Sequence, residues 1–376
     1  MVSAAYIHIP FCEHICHYCD FNKVFLKGQP VDEYLHFLDQ EIKVTLEQFP
    51  TEDIQTIFVG GGTPTSLSSK QLDILCSSIR NHLPYQRGEF TFEANPGDLS
   101  KEKLEVLRSN GVNRLSFGVQ SFNNDLLRKI GRTHTAEEVY TSIATAKETG
   151  FENISIDLIY SLPTQTISDF EETLDAALAL DLPHYSSYSL IIEPKTIFYN
   201  LMQKGQLPLP GQDKEADMFE LLMKKMDNYG LKQYEISNFA KPGFESKHNL
   251  VYWNNEEYYG FGAGSHGYMA GVRRANYGPL RKYMQPLQEN KLPFIEEIPV
   301  SKKEKMEEEM FLGLRKMEGV SRENFLIKYE IDLYDVFSAA MIDLTKKELI
   351  EDNSGWVRLT NKGKFLGNEV FQSFLQ

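Results

Sequence analysis

Cysteine is scarce in this chain, with four in 376 residues. That scarcity excludes a disulfide-stapled scaffold. No leader-like segment opens the chain, so a reducing, cytoplasmic compartment is expected. No apolar run approaches the roughly 20 residues that a membrane-spanning helix needs, so any membrane contact is expected to be peripheral. Positive charge is in deficit: 39 Lys and Arg stand against 53 Asp and Glu, a formal net charge of −14. A surface of that sign repels nucleic acid and argues against DNA or RNA as a partner. Low-complexity tracts and solenoid-type repeats are also missing. What is present is ample apolar material, 41% of residues, in a length that suits two or three domains.

Three of the four cysteines stand close together in Phe11-Cys12-Glu13-His14-Ile15-Cys16-His17-Tyr18-Cys19-Asp20-Phe21. A [4Fe–4S] cluster held by protein thiolates normally takes four. Three leave one iron open to a small molecule. A zinc site would want four Cys or His ligands, usually in two separated pairs. His14 or His17 could complete such a set, but both crowd the same short loop. Cys76 lies in the apolar, helix-like stretch Leu72-Asp73-Ile74-Leu75-Cys76 and reads as an inert core residue.

Strand-like and helix-like patterns alternate through the first half. Strands are expected at Tyr6–Ile9, Thr56–Val59, Phe90–Glu93, Leu115–Val119, Ser155–Ile159 and Tyr185–Leu190. Amphipathic helices are expected between them, at Val31–Glu47, Ser69–Ile79, Lys101–Arg108, Ala136–Glu148 and Ile167–Ala179. This predicts an α/β fold with a parallel sheet, an incomplete (β/α)6 barrel over residues 1–208. Pro208, Pro210 and Gly211 mark a linker. Residues 209–300 read as an α+β segment: a helix at Lys214–Asn228, then short strands and turns from Tyr234 to Tyr277. Residues 301–376 read as a winged-helix-like domain. Its helices are at Lys303–Lys316, Arg322–Lys328 and Leu333–Lys347, and its wing is a hairpin turning at Asn353-Ser354-Gly355. That stretch carries acids as freely as lysines, so a scaffold or partner-binding role fits it better than DNA binding.

In barrels of this kind the chemistry sits at the C-terminal ends of the strands. There the sequence places Gly60-Gly61-Gly62-Thr63-Pro64, then Glu93-Ala94-Asn95-Pro96, then Gly118-Val119-Gln120-Ser121 with Arg132 beyond, then Asp157-Leu158-Ile159. Each alone is more often a plain turn or a solvated loop. In succession, with the cysteine loop on the first strand, they predict a site.

Together these motifs, with Tyr6-Ile7-His8-Ile9-Pro10-Phe11-Cys12, resemble the radical S-adenosylmethionine (SAM) coproporphyrinogen oxidase-like family. The resemblance covers nearly the whole chain. It implies that Cys12, Cys16 and Cys19 bind the cluster, and that Gly61, Gly62, Thr63 and Glu93 hold the methionine end of SAM. Arg132 would meet the SAM carboxylate, Gln120 and Asp157 the ribose, Ile159 the adenine, and Tyr6 would lie against the cofactor. No catalytic residue is singled out.

Within that family the sequence favours the heme-carrying branch over the oxygen-independent coproporphyrinogen III oxidase, a radical enzyme acting on propionate side chains. The oxidase has a further cysteine two positions after its third cluster ligand, where this chain has Phe21. It also has a substantial N-terminal extension, and here Tyr6 is only five residues in. His248-Asn249-Leu250-Val251-Tyr252-Trp253 matches a family motif associated with heme. His248 would be an axial ligand, with Tyr252 and Trp253 against the ring; the plainer reading is a packed Trp beside a hydrogen-bonded His. The run Tyr259–Gly267 alternates Gly with other residues, which suggests close backbone contact. His266 within it is a second candidate ligand. Heme would then be a third cofactor, and residues 209–300 would face heme or partners. The partners would be heme-accepting proteins, respiratory membrane enzymes among them.

Overall fold

The computed structural model describes residues 2–375. Six parallel strands form its centre: β1 (Ala4–Ile9), β2 (Thr56–Gly61), β3 (Glu89–Ala94), β4 (Arg114–Gln120), β5 (Asn153–Tyr160) and β6 (His184–Ser189). Their residues are almost wholly buried on both faces, as a parallel sheet covered by crossover helices requires. The expected helices all form, within a few residues of their predicted limits, at Val31–Gln48, Ser69–His82, Lys101–Ser109, Ala136–Glu148 and Ile167–Leu178. Ser68, Ser100, Thr135 and Thr166 cap four of them by accepting from backbone amides in the first turn. The partial (β/α)6 barrel is therefore present.

Residues 209–300 are continuous with the barrel sheet. They add strands to both edges of the same sheet: β7 (Lys232–Glu235), β8 (Asn238–Ala240), β9 (Tyr258–Phe261), β10 (His266–Met269), β11 (Val272–Asn276) and β12 (Phe294–Pro299). The resulting order is β12-β11-β10-β9-β1-β2-β3-β4-β5-β6-β8-β7. The reason is edge satisfaction: β1 would otherwise present an unpaired row of backbone groups, and β9 runs parallel to it from Ala4↔Tyr258 to Ile7↔Phe261. The stretch Lys247–Trp253 is a helix rather than strand and turn.

A second core, built around Met310, Phe325, Phe337, Val357 and Phe374, marks the C-terminal unit. Its helices are Lys302–Gly313, Arg322–Tyr329 and Leu333–Lys346, with a three-stranded sheet of β13 (Val320–Ser321), β14 (Ile350–Asn353) and β15 (Trp356–Leu359). The wing turns through Ser354 and Gly355 at φ of 53° and 83°, the left-handed pair of a tight hairpin. Among the described residues no helix is long and apolar enough to cross a membrane.

Candidate functional site

The C-terminal ends of the barrel strands surround a cavity of about 540 Å³. Cys12, Cys16 and Cys19 all face it, with Gly61, Gly62, Thr63, Glu93, Gln120, Arg132, Asp157 and Ile159. Residues from the ends of five strands thus meet in one place. Tyr6 is the member of the expected set that does not line it. Its ring stacks on Phe58 and its hydroxyl bonds to His8 Nδ1 at 3.0 Å, so it supports the floor from one layer below.

The cysteine loop begins where β1 ends and is held from three sides. Val24 and Leu26 donate to the carbonyls of Pro10 and Cys12 at 2.8 Å each, closing the loop. The His17 amide donates to Ile130 O, and the Phe198 amide to His17 O, at 3.0 Å each. Thr63 Oγ1 donates to Cys12 Sγ at 3.6 Å. Burial pushes the Cys12 thiol up to about 11 and raises that of Cys19, so binding a metal there releases protons. Among the described residues no three metal-ligating side chains are drawn into a set; the thiols share a cavity rather than a preformed cage.

The glycine run faces the cavity with its carbonyl side. Its amides are already spent inside the protein: Gly61 N donates to Glu93 Oε2 at 2.9 Å, Gly62 N to Ile9 O at 2.9 Å, and Thr63 N to Phe11 O at 2.8 Å. A Cβ at Gly62 would lie 2.9 Å from the Ile9 and Phe11 carbonyl oxygens, and one at Gly61 (φ 111°) 2.4 Å from the His8 ring. The run is glycine because two strand ends touch there, and only its carbonyl oxygens are left to meet an ammonium group.

Charge is concentrated on one wall. Burial pushes the Glu93 carboxyl up to about 7, and nearby Asp157 adds to the effect. Burial also raises Asp157, against the hydrogen bonds from Ser186 and Ser116 that favour its ionised form. Burial disfavours the charge on Arg132, but Tyr18, Cys16 and Cys19 outweigh it and hold the guanidinium firmly protonated. Arg132 Nη1 donates to Asn95 Oδ1 at 2.6 Å, while its Nε is buried without a partner. Gly118 leaves it room, since a Cβ there would sit 2.4 Å from Arg132 Nη2. Gln120 is held at φ 67°, which costs a non-glycine residue about 1–2 kcal/mol. These groups fit a ligand carrying both ammonium and carboxylate, and three thiols facing the same space fit a cluster with one iron unligated by protein.

Sequence reading missed several contributors. Asn95 orients Arg132, Ser116 and Ser186 serve Asp157, and Tyr188, Leu190 and Ile191 form the far rim. Tyr188 and Ile191 are exposed apolar side chains on a rim, a signal that appears only once the strand ends are located.

The heme candidates separate. His248, Tyr252 and Trp253 lie at the opposite, N-terminal end of the barrel, on the helix Lys247–Trp253. That helix stands over the first residues of the strands. Glu89, first in β3, accepts from the amides of Lys247 and His248 at 3.0 and 3.1 Å, a carboxylate at a helix N-terminus. Thr56, first in β2, bonds through Oγ1 to His248 Nδ1 at 2.9 Å, and Tyr252 Oη bonds to Nε2 at 2.8 Å. His248 is 1% exposed and burial lowers its pKa to about 3. With both ring nitrogens engaged, it offers none to iron in this conformation, which corrects the expectation of an axial ligand there. The plainer reading, a hydrogen-bonded core histidine, describes it. Trp253 lies beneath the Arg315 guanidinium, 4.6 Å from the ring centre. His266 is exposed and lies beside His8, near the cysteine end.

Comparison with known proteins agrees with this geometry. Residues 6–177 match the Radical SAM superfamily and residues 300–366 the HemN C-terminal domain. The chain is 56% identical to the heme chaperone HemW of Bacillus subtilis (strain 168), over 100% of this chain and 99% of that one. It is 48% identical to the heme chaperone HemW of Lactococcus lactis subsp. lactis (strain IL1403), over 99% and 97%. Coproporphyrinogen III oxidase (HemN) from Escherichia coli has the same fold: TM-score 0.86, 24% identity, covering 99% of this chain and 90% of that one.

Proposed function

Because the chain belongs to the HemW family within the radical SAM superfamily, we propose that it binds heme and passes it to acceptor proteins. The cofactors of that superfamily are a [4Fe–4S] cluster and SAM. Here Cys12, Cys16 and Cys19 would hold the cluster. Glu93 would take the SAM ammonium, Arg132 its carboxylate, Gln120 and Asp157 its ribose, and Ile159 its adenine. When bound, the pair supplies one-electron reducing chemistry. This chain's own residues hold the ligand's charged groups and keep its carboxylate beside Arg132.

The observation that carries the heme reading is the match to heme chaperones along the entire chain. Of the two candidate ligands His266 is the exposed one; His248 would serve only after its helix left the barrel end. Acceptors that are respiratory membrane enzymes, a cytoplasmic location and peripheral membrane contact all suit a carrier with no membrane-spanning helix among its described residues. The C-terminal unit, whose exposed face is of mixed charge, would serve as the scaffold or docking element.

Anaerobic reconstitution followed by two parallel assays tests this. The reconstituted protein is expected to bind heme and transfer it to an apo-acceptor, and to form no protoporphyrinogen from coproporphyrinogen III with SAM and reductant. Phe21, exposed on the cavity rim, is the observation that favours this outcome over the oxidase. Repeated turnover of coproporphyrinogen III would replace the carrier with the oxidase.

A further inference from the structure

The return arm of the cysteine loop is anchored by one side chain that does not face the cavity. Asn22 follows Cys19 by three positions. Its amide nitrogen donates to Ala263 O at 2.7 Å and to Gly278 O at 3.0 Å. Its own carbonyl accepts from His8 Nε2 at 2.7 Å, and the same imidazole tautomer accepts the Tyr6 hydroxyl proton at Nδ1. One residue therefore ties the loop both to the end of β1 and to segments some 240 residues away.

The receiving turn is itself braced. Glu41, buried in the helix Val31–Gln48, accepts from Gly262 N at 2.7 Å, Asn276 Nδ2 at 2.6 Å and Tyr283 Oη at 2.6 Å. Tyr34 Oη accepts from Ala263 N at 3.1 Å and donates to His8 O at 2.7 Å. Contact with Asn22 is close enough to exclude side chains on the other side. A Cβ at Gly264 would lie 2.7 Å from Asn22 Cγ, and one at Gly278 3.1 Å from its Oδ1. This accounts for Gly264 in the run 259–267; Gly262 there is instead required by His8 O and Tyr34 Oη, 2.5 and 2.6 Å from where its Cβ would stand.

We propose that Asn22 is the positioning residue for Cys19, with the Gly262–Gly264 turn and Glu41 as the abutment that holds it. The inference rests on the cluster assignment and is independent of heme. An amide is required because both acceptors are carbonyls: Asp would set a carboxylate against two oxygens, and Ala would leave both carbonyls without this donor.

The test begins with the apo-chain under anaerobic, reducing conditions. Asn22→Ala and Asn22→Asp should speed hydrogen exchange at the Val24 and Leu26 amides, and maleimide labelling of Cys19, by about ten- to a hundredfold, the cost of two lost hydrogen bonds. Labelling of Cys76 and the thermal midpoint should stay close to wild type. After reconstitution the same variants should bleach faster in air and show altered cluster electron paramagnetic resonance. Gly278→Ala, which pushes on Asn22 without altering the loop, should give a smaller change of the same kind. Wild-type exchange, labelling and bleaching in Asn22→Asp would overturn the proposal. So would a fall in thermal midpoint that accelerates Cys76 as much as Cys19. If Asn22→Asp does not fold, Gly278→Ala decides: wild-type loop exchange and labelling there overturn the proposal.

Discussion

At the N-terminal end of the barrel the opening residues of the strands are engaged with one another or with the chain that covers them. Thr56 bonds to His248, and Glu89 caps the helix over it. Arg114 meets His184, which also bonds to Ser155 and Tyr234. At the C-terminal end, Glu93, Asp157 and Arg132 face a cavity, with Arg132 Nε unpartnered and Gln120 in a strained conformation. The same strands thus carry a covered end and an open one. Even the covered end leaves Arg114 Nε and Asn153 Oδ1 buried without a partner, but among the described residues no cavity comparable to that at the cysteine end lies against His248. Burial favours the neutral form at both, but the consequences run in opposite directions, since Glu93 is pushed up to about 7 and His248 down to about 3. His248 at the covered end has both ring nitrogens hydrogen-bonded; Glu93 at the open end faces a cavity.

The largest expected effect is at the open end. Replacing Cys12, Cys16 or Cys19 with Ser should abolish reconstitution, read as iron and acid-labile sulfide per chain. Cys76→Ser, in the core of the helix Ser69–His82, should retain both. Full iron in Cys16→Ser would remove the cluster from this cavity.

Next comes His248→Ala at the closed end. It should lower stability by about 2–4 kcal/mol, because Thr56 and Tyr252 lose their partner and a buried ring is lost. Denaturant unfolding measures this. Its heme absorption spectrum should match wild type, whereas that of His266→Ala should change. A changed spectrum in a folded His248→Ala protein would break the comparison, showing that the closed end opens to ligand.

Glu93→Ala should weaken SAM binding by one to two orders of magnitude, about what a lost charged hydrogen bond costs, as calorimetry on reconstituted protein would show. The pH dependence follows from the raised pKa. An ammonium pairs with the carboxylate, and the empty site is half protonated near 7. Affinity should therefore hold above about pH 7 and fall by up to about tenfold per unit below it. A flat profile between pH 5 and 8 would separate Glu93 from SAM.

The smallest effect is local. His248 is depressed from 6.5 to about 3, so the unfolded segment takes up a proton below 6.5 that the folded one refuses. The stability it contributes is present above 6.5 and lost progressively as pH falls toward 3. Amides of residues 247–253 should lose exchange protection between pH 7 and 5, after correction for intrinsic rates, while those of the β4–β5 core keep theirs.

Much of the open end was legible because its logic is local. Three closely spaced cysteines, strand-end polar residues and the alternation of patterns each report on neighbours in sequence, and five helices and six strands fell where expected. The closed end was not legible. His248-Asn249-Leu250-Val251-Tyr252-Trp253 carries no strong helix signal; its helix is fixed by Glu89, 159 positions away from His248. The hydrogen bonds that use up the Gly61–Thr63 amides were hidden for the same reason, since their partners lie on β1, the following loop and β3. The joining of 209–300 to both sheet edges was hidden because edge pairing leaves no mark in short strands.

The place of β1 has a consequence for how the protein is made. It leaves the ribosome before the other described strands, yet its neighbour on one side is β9, which ends at Phe261, and the loop it carries is pinned by Ala263 and Gly278. Until roughly three-quarters of the chain has been synthesised, an apolar strand lacks half its ladder and three thiols hang on an untethered loop. Pairings this distant in sequence form late and slowly. Metal loading should therefore follow chain completion rather than accompany it, and stalled or truncated chains would expose both a sticky edge and oxidisable sulfur.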